Sequence, residues 1–211
     1  METKGVSIMT RISKTPAERK NEILDAAMEL FLTKGYQNTS VSDIVQQINV
    51  AQGLFYYYFK SKDEVFRAVL ERLTDEFAAK LIAIIRDGSL TFKSRLEKIS
   101  EVSNNVLPMS DSAFIEEFHQ AEFMDMHTRL SLHVARALIE PIANLLEEMN
   151  GRKIICIKDP QMTSAFLVFG IFGLIHGEDD HIHNRDYLKP DILLDLISRL
   201  LGVSPEVLSN I

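Results

Sequence analysis

Ser40-Val41-Ser42-Asp43-Ile44-Val45-Gln46-Gln47-Ile48-Asn49-Val50-Ala51-Gln52-Gly53-Leu54-Phe55-Tyr56-Tyr57-Tyr58-Phe59 is the stretch that decides the fold. Ser40 to Asp43 has the pattern of a capping box, in which a hydroxyl caps the helix and an acid reaches back to the cap. Val41, Ile44, Val45 and Ile48 then share one face of a short helix. Asn49-Val50-Ala51 breaks that helix, and asparagine tolerates the left-handed backbone of a tight turn. A second short helix is expected from Gln52 to about Tyr58. Its cap position holds Ala51, which costs roughly 1 kcal/mol against serine or threonine. Two short helices joined by a tight turn form a helix-turn-helix arrangement. The aromatic run from Phe55 to Phe59 is too long for one face of a short helix to bury. Phe55 and Phe59 are expected to point inward, and Tyr56 and Tyr57 outward.

The same punctuation extends on both sides. Thr15-Pro16-Ala17-Glu18 predicts a capping box with proline at the first helical position. Ile23, Ala27, Leu30 and Phe31 follow on one face, and Gly35 is expected to end the helix in a left-handed cap. Ser61-Lys62-Asp63-Glu64 predicts a third capping box. It opens a long helix bearing Val65, Phe66, Val69, Leu70, Leu73, Phe77, Leu81 and Ile84, ended by Gly88. Apolar-periodic segments continue at about 91–107, 112–124, 127–150, 160–176 and 189–201, separated by Pro108, Gly151, Gly177, Pro190 and Gly202. Ile154-Ile155-Cys156-Ile157 has strand character, but one such run makes no sheet, so it reads as a connection packed on the body. The fold class is therefore all-α: a three-helix helix-turn-helix domain followed by a helical bundle. The expected division is a flexible arm at 1–14, the helix-turn-helix domain at 15–61 and a body at 62–211.

Composition limits what such a chain can be. Of 211 residues, 46% are apolar and 25% charged, which excludes wholesale disorder. The longest apolar run, Ala165 to Ile175, is far short of the roughly 20 residues that span a bilayer. No membrane partner is expected. Cys156 is the single cysteine, so no intrachain disulfide or zinc finger can form. No stretch reads as an export signal, and the expected location is the cytoplasm. The net charge is −7, unevenly spread. Residues 1–62 hold eight basic and six acidic residues, net +2, while the remainder holds 15 basic and 24 acidic, net −9. A weakly basic N-terminal part thus precedes an acidic body.

A family resemblance rests on these residues. Thr39 to Val45 followed by Val50 to Glu64 resembles the DNA-binding domain of TetR-type transcriptional regulators. So does Arg19 to Tyr36, with Ile23-Leu24-x-Ala26-Ala27 and Phe31-x-x-Lys34-Gly35-Tyr36. The resemblance covers roughly 16–70. Asn49 stands where glycine is common, Ala51 replaces a serine or threonine, and Leu54 occupies a position more often small or polar.

It implies that the segment Ser40 to Phe59 binds DNA, with the second short helix in the major groove. Thr39, Ser40, Val41, Ser42, Ala51, Gln52, Gly53, Leu54, Tyr56, Tyr57, Tyr58 and Lys62 are the expected contacts. Gln52 can pair with adenine N6 and N7, and Leu54 can meet a thymine methyl but cannot hydrogen-bond. Gly53 admits close backbone approach. The Tyr56 and Tyr57 hydroxyls can reach phosphates. Thr39, Ser40 and Ser42 stand at a helix N-terminus, a natural phosphate seat. Lys62 is the expected leading phosphate contact, and Arg11, Lys14 and Arg19 are candidates for the backbone or minor groove.

For the body the resemblance implies an effector pocket and a dimer interface. Phe118, His119, Phe123, His127, Phe166 and Phe169 are the expected pocket residues. Phe172, Leu193, Leu196, Ile197 and Leu200 are expected in a four-helix bundle with a second copy. The resulting expectation is a ligand-responsive, sequence-specific regulator, a repressor released from a near-palindromic operator by an unidentified small molecule. No G-x-S-x-G, phosphate loop or H-E-x-x-H is present, so no enzyme activity and no cofactor are expected. Two other readings stay open on the sequence. One is an adaptor with this fold acting through protein contacts. The other is a metal-responsive regulator using the His/Asp cluster at 176–183, although no metal ligand set is assigned.

Overall fold

A computed structural model describes residues 14–105, 124–176 and 189–211. All regular elements among them are helices: α1 (Pro16–Lys34), α2 (Val41–Gln47), α3 (Gln52–Tyr58), α4 (Lys62–Arg86), α5 (Phe92–Asn105), α6 (Met124–Gly151), α7 (Pro160–His176), α8 (Pro190–Leu201) and α9 (Pro205–Ser209). The chain divides into two compact units between Val69 and Leu70, inside α4. The sequence suggested a boundary at 61. The difference has a physical cause: Val65, Phe66 and Val69 are buried, and the Phe66 ring packs on Phe31 and Tyr36.

In the first unit the capping expectations at Thr15 and Ser40 both hold, with hydroxyl and carboxylate bonds present in each box. At the third, the Glu64 N–H donates to Ser61 Oγ at 3.2 Å, but the Glu64 carboxylate reaches past Ser61 to the Lys60 N–H at 2.6 Å. Asn49 takes φ 51°, the left-handed turn its side chain permits. Gly35 differs from expectation. Its φ of 81° and ψ of 160° lie outside the left-handed helical basin, in a region open essentially to glycine. Its N–H still closes α1 on the Phe31 carbonyl at 3.0 Å. The core holds Ile23, Ala27 and Phe31 of α1, Ile44 of α2, Phe55 of α3 and Val65 and Phe66 of α4.

The second unit packs α5 against α8 and α9, and α6 against α7. The buried Ser164 hydroxyl donates to the Ile139 carbonyl at 2.6 Å, joining α7 to α6. Its core includes Phe92, Leu96, Leu146, Met149, Leu193, Ile197 and Leu208. Gly202, at φ 71° and ψ 31°, gives α8 the left-handed ending. The short α9 starts on Ser204-Pro205, the same cap-then-proline signal that opens α1. Residues 154–157 form no strand. The Asn150 side chain takes the place of a neighbouring strand instead: its Nδ2 donates to the Ile157 carbonyl at 2.7 Å and its Oδ1 accepts from the Ile157 N–H at 3.0 Å. No helix among the described residues is long and apolar enough to cross a membrane.

Candidate nucleic-acid interface and apolar cavity

The seven residues of α3 separate the aromatic run sharply. Phe55 is fully buried and Phe59 is 2% exposed, whereas Tyr56 is 52% and Tyr57 76% exposed. Phe55 meets Tyr56 edge to face at 5.5 Å between centroids, and Tyr57 meets the half-buried Tyr58 likewise at 4.9 Å. The inward rings therefore fix a helix whose outward side displays Gln52, Gly53, Tyr56 and Tyr57. Leu54 is half-buried, with Ala51 exposed beside it. A Cβ added at Gly53 would meet nothing within 4 Å, so packing in the free chain does not require glycine there.

The helix N-termini differ electrostatically. At α2, Ser40 N–H and Oγ both donate to the Asp43 carboxylate, and the Asp43 N–H donates to Ser40 Oγ at 3.1 Å. The Ser40 hydroxyl, then the Ser40 amide and more weakly Lys34, hold the Asp43 carboxyl below its usual range. The α2 terminus thus carries its own anion, which disfavours a phosphate. At α3, no side chain caps the first turn. Val41 is half-buried and Ser42 exposed.

Several expected phosphate contacts are engaged within the chain. Thr39 is 2% exposed, and its hydroxyl donates to the Gly35 carbonyl at 2.8 Å, tying the turn to the end of α1. Lys62 turns inward: its Nζ donates to the Tyr36 carbonyl at 2.8 Å and stands 4.0 Å from the Tyr36 ring centroid. The Tyr36 hydroxyl in turn donates to Asp63. Lys14 and Arg19 both pair with Glu22, whose carboxyl is held low chiefly by Lys14 and less by Arg19. Arg11 lies outside the described residues.

The second unit holds a partly open apolar cavity of about 440 Å³. Leu70, Leu73, Phe77 and Leu81 face it from one side of α4, and Phe92, Leu96 and Ile99 from one side of α5. These are helical i, i+3, i+4 and i+7 spacings, which place such residues on a common stripe. Helices α6, α7 and α8 complete the wall. His127, one of the expected pocket residues, is among those that line it. Phe118, His119 and Phe123 lie outside the described residues, and the 176–183 cluster falls outside those whose side chains are described.

The remaining aromatic assignments on α7 exchange places. Phe166 and Phe169 are 66% and 40% exposed and do not line the cavity, whereas Phe172 does. Helical register explains it. Leu167, Val168, Ile171 and Phe172 face inward, which puts Phe166 and Phe169 on the other side of α7. On α8, Leu193 and Ile197 are buried in the cavity wall, and Leu196 and Leu200 are exposed. A residue missed by sequence reasoning is Arg95. At 92, 95, 96 and 99 it sits in register with the apolar stripe of α5 and lines the cavity.

Comparison with known proteins begins with residues 23–69, which match the family model described as bacterial regulatory proteins, tetR family. The matched segment belongs to the TetR family. The matched span runs from the buried Ile23 of α1 to Val69, the last residue of the first unit. Among curated relatives, this chain is 39% identical over 86 residues to an uncharacterized HTH-type transcriptional regulator, YfiR, of Bacillus subtilis, covering 40% of this chain and 42% of that one. It is 43% identical over 61 residues to the HTH-type transcriptional repressor ComR of Escherichia coli, 29% of each chain. It thus spans less than half the length of these relatives. A crystal structure of a TetR-family transcriptional regulator from Pectobacterium atrosepticum is 21% identical, with 89% of this chain and 98% of that chain covered at a TM-score of 0.60. That likeness concerns the fold.

Proposed function

We propose that the protein is a transcriptional repressor that binds a near-palindromic operator as a homodimer and is released by a small molecule held in the body. The observation that carries the reading is the display on α3. Buried Phe55 and Phe59 anchor a two-turn helix whose exposed face offers Gln52, Gly53, Tyr56 and Tyr57. Gln52 reads a base edge, Gly53 lets the backbone approach, and the tyrosines reach phosphates and thymine methyls. The uncapped first turn of α3 is a better phosphate seat than α2, which is closed by Asp43. Lys62 acts indirectly in this reading, bracing the turn at Tyr36.

Dimerisation uses the outward faces of α7 and α8. Met162, Phe166 and Phe169 are exposed on the first, and Ile192, Leu196 and Leu200 on the second. Exposed large apolar side chains at i and i+4 spacing support an interaction face. Phe166→Arg should convert the dimer to monomers by sedimentation; an unchanged mass would remove this face from the reading.

The whole proposal is tested by selecting binders from randomised duplex DNA and titrating the enriched sequence at two salt concentrations. The expected result is a near-palindrome bound with steep salt dependence. Failure to enrich any sequence, with and without cell extract as a source of effector, would overturn it.

A further inference from the structure

The cavity carries one feature that an apolar effector alone would not use. Arg95 enters a wall otherwise built largely of aliphatic and aromatic side chains. Its Nη2 donates to the Asp87 carbonyl at 2.9 Å, while its Nε is buried without a hydrogen-bond acceptor. Nearby Asp87 does not fill that position with its carboxylate. Its Oδ1 accepts from both the N–H and the hydroxyl of Ser89, at 2.9 and 2.6 Å. Those bonds hold the Asp87 carboxyl low, with smaller pulls from Lys98 and Arg95. The Arg95 Nε is closed off from the cavity as well, so it is not itself the seat; Arg95 is the one arginine or lysine among the described residues of an otherwise largely apolar wall, and a guanidinium matches a carboxylate in plane and spacing.

We propose that the cavity takes an amphipathic carboxylate, with its apolar chain along α4 and α6 and its carboxylate on Arg95. This rests on the effector-binding reading above and names the ligand's chemical class. A cavity of about 440 Å³ lies within the range of small-molecule pockets, and a medium-chain acid is a suitable probe of it. A phosphate ester would bring a second charge that a single guanidinium already bonded to Asp87 matches less well.

The test uses the full chain, with decanoate and decan-1-ol as probes titrated calorimetrically at neutral pH. The two share a chain and differ in the head group. Decanoate is expected to bind roughly ten-fold or more tightly than the alcohol, the scale of a charge-assisted hydrogen bond. Arg95→Met should abolish that difference by weakening decanoate about ten-fold and leaving decan-1-ol within about two-fold. Arg95→Gln keeps a donor for the Asp87 carbonyl and should behave like Arg95→Met; if both variants unfold, the acid-to-alcohol ratio on the unaltered chain decides. Equal affinities for the two probes, no binding of decanoate, or equal weakening of both probes in the variants would each overturn the proposal. A parallel operator titration separates the two readings. Decanoate bound through Arg95 without any change in operator affinity would leave the ligand class standing and remove the effector reading. Operator binding by a protein that ignores decanoate would do the reverse.

Discussion

The two units use the same kind of residue to opposite ends. In the first, the large aromatics are sorted to extremes: Phe31, Phe55 and Phe66 are fully buried in a filled core, and Tyr57 is three-quarters exposed. In the second, Phe92 is buried and Phe166 exposed, but Phe77 and Phe172 are half-buried and face open space along the cavity. Helices with apolar faces build both units. The difference is whether the opposing face supplies enough side-chain volume to meet the apolar stripe. Where it does, the helix is fixed and can present its outer face. Where it does not, the stripe becomes the wall of a cavity.

Large-to-small substitution tests that contrast most strongly. Phe55→Ala should cost about 3–5 kcal/mol of first-unit stability, because the vacated volume lies inside a filled core. Phe77→Ala should cost less than about half of that, since its ring already has an open side with no partner atoms. Urea titration of each variant measures both, and equal losses would break the distinction. Next in size, Ala51→Ser should add about 1 kcal/mol by giving α3 the side-chain cap it lacks. Gly53→Ala is expected to raise stability by about 0.5–1 kcal/mol, the helix preference of alanine, while weakening operator binding. A loss of both would show that Gly53 serves the fold. The smallest effect concerns acid. Because Asp43 titrates lower in the folded chain, its contribution is present above the ordinary aspartate value of 3.8 and fades as pH falls through the lower folded value. Asp43→Asn should flatten that part of the urea midpoint against pH profile, and an unchanged acid limb would show that the box contributes nothing there.

The first unit was readable in the sequence because its signals are local. Capping boxes, a left-handed asparagine and the alternation of Phe55 and Phe59 with Tyr56 and Tyr57 all lie within a few residues of the structure they specify. The inward bond of Lys62 was not legible because its partner, the Tyr36 carbonyl, is distant in sequence. The body was readable as helices and not as a site. Phe166, Phe169 and Phe172 belong to a helix apolar all round, so periodicity could not say which side faces the cavity. Arg95 was visible in register with Phe92 and Ile99, but an arginine there commonly lays its stem on apolar surface and extends its head into water. Only its place in the cavity wall separates the two situations.

The Asn150 amide has a consequence for how the chain behaves in concentrated solution. Ile154, Ile155 and Ile157 form a short β-prone run, and an unpaired edge of that kind is a template for strand addition by another molecule. By holding both the N–H and the carbonyl of Ile157, Asn150 removes one complete ladder position from that edge. One side-chain amide thus satisfies a strand-like backbone at a place where the chain has the composition for a strand and the described residues hold no sheet to put it in.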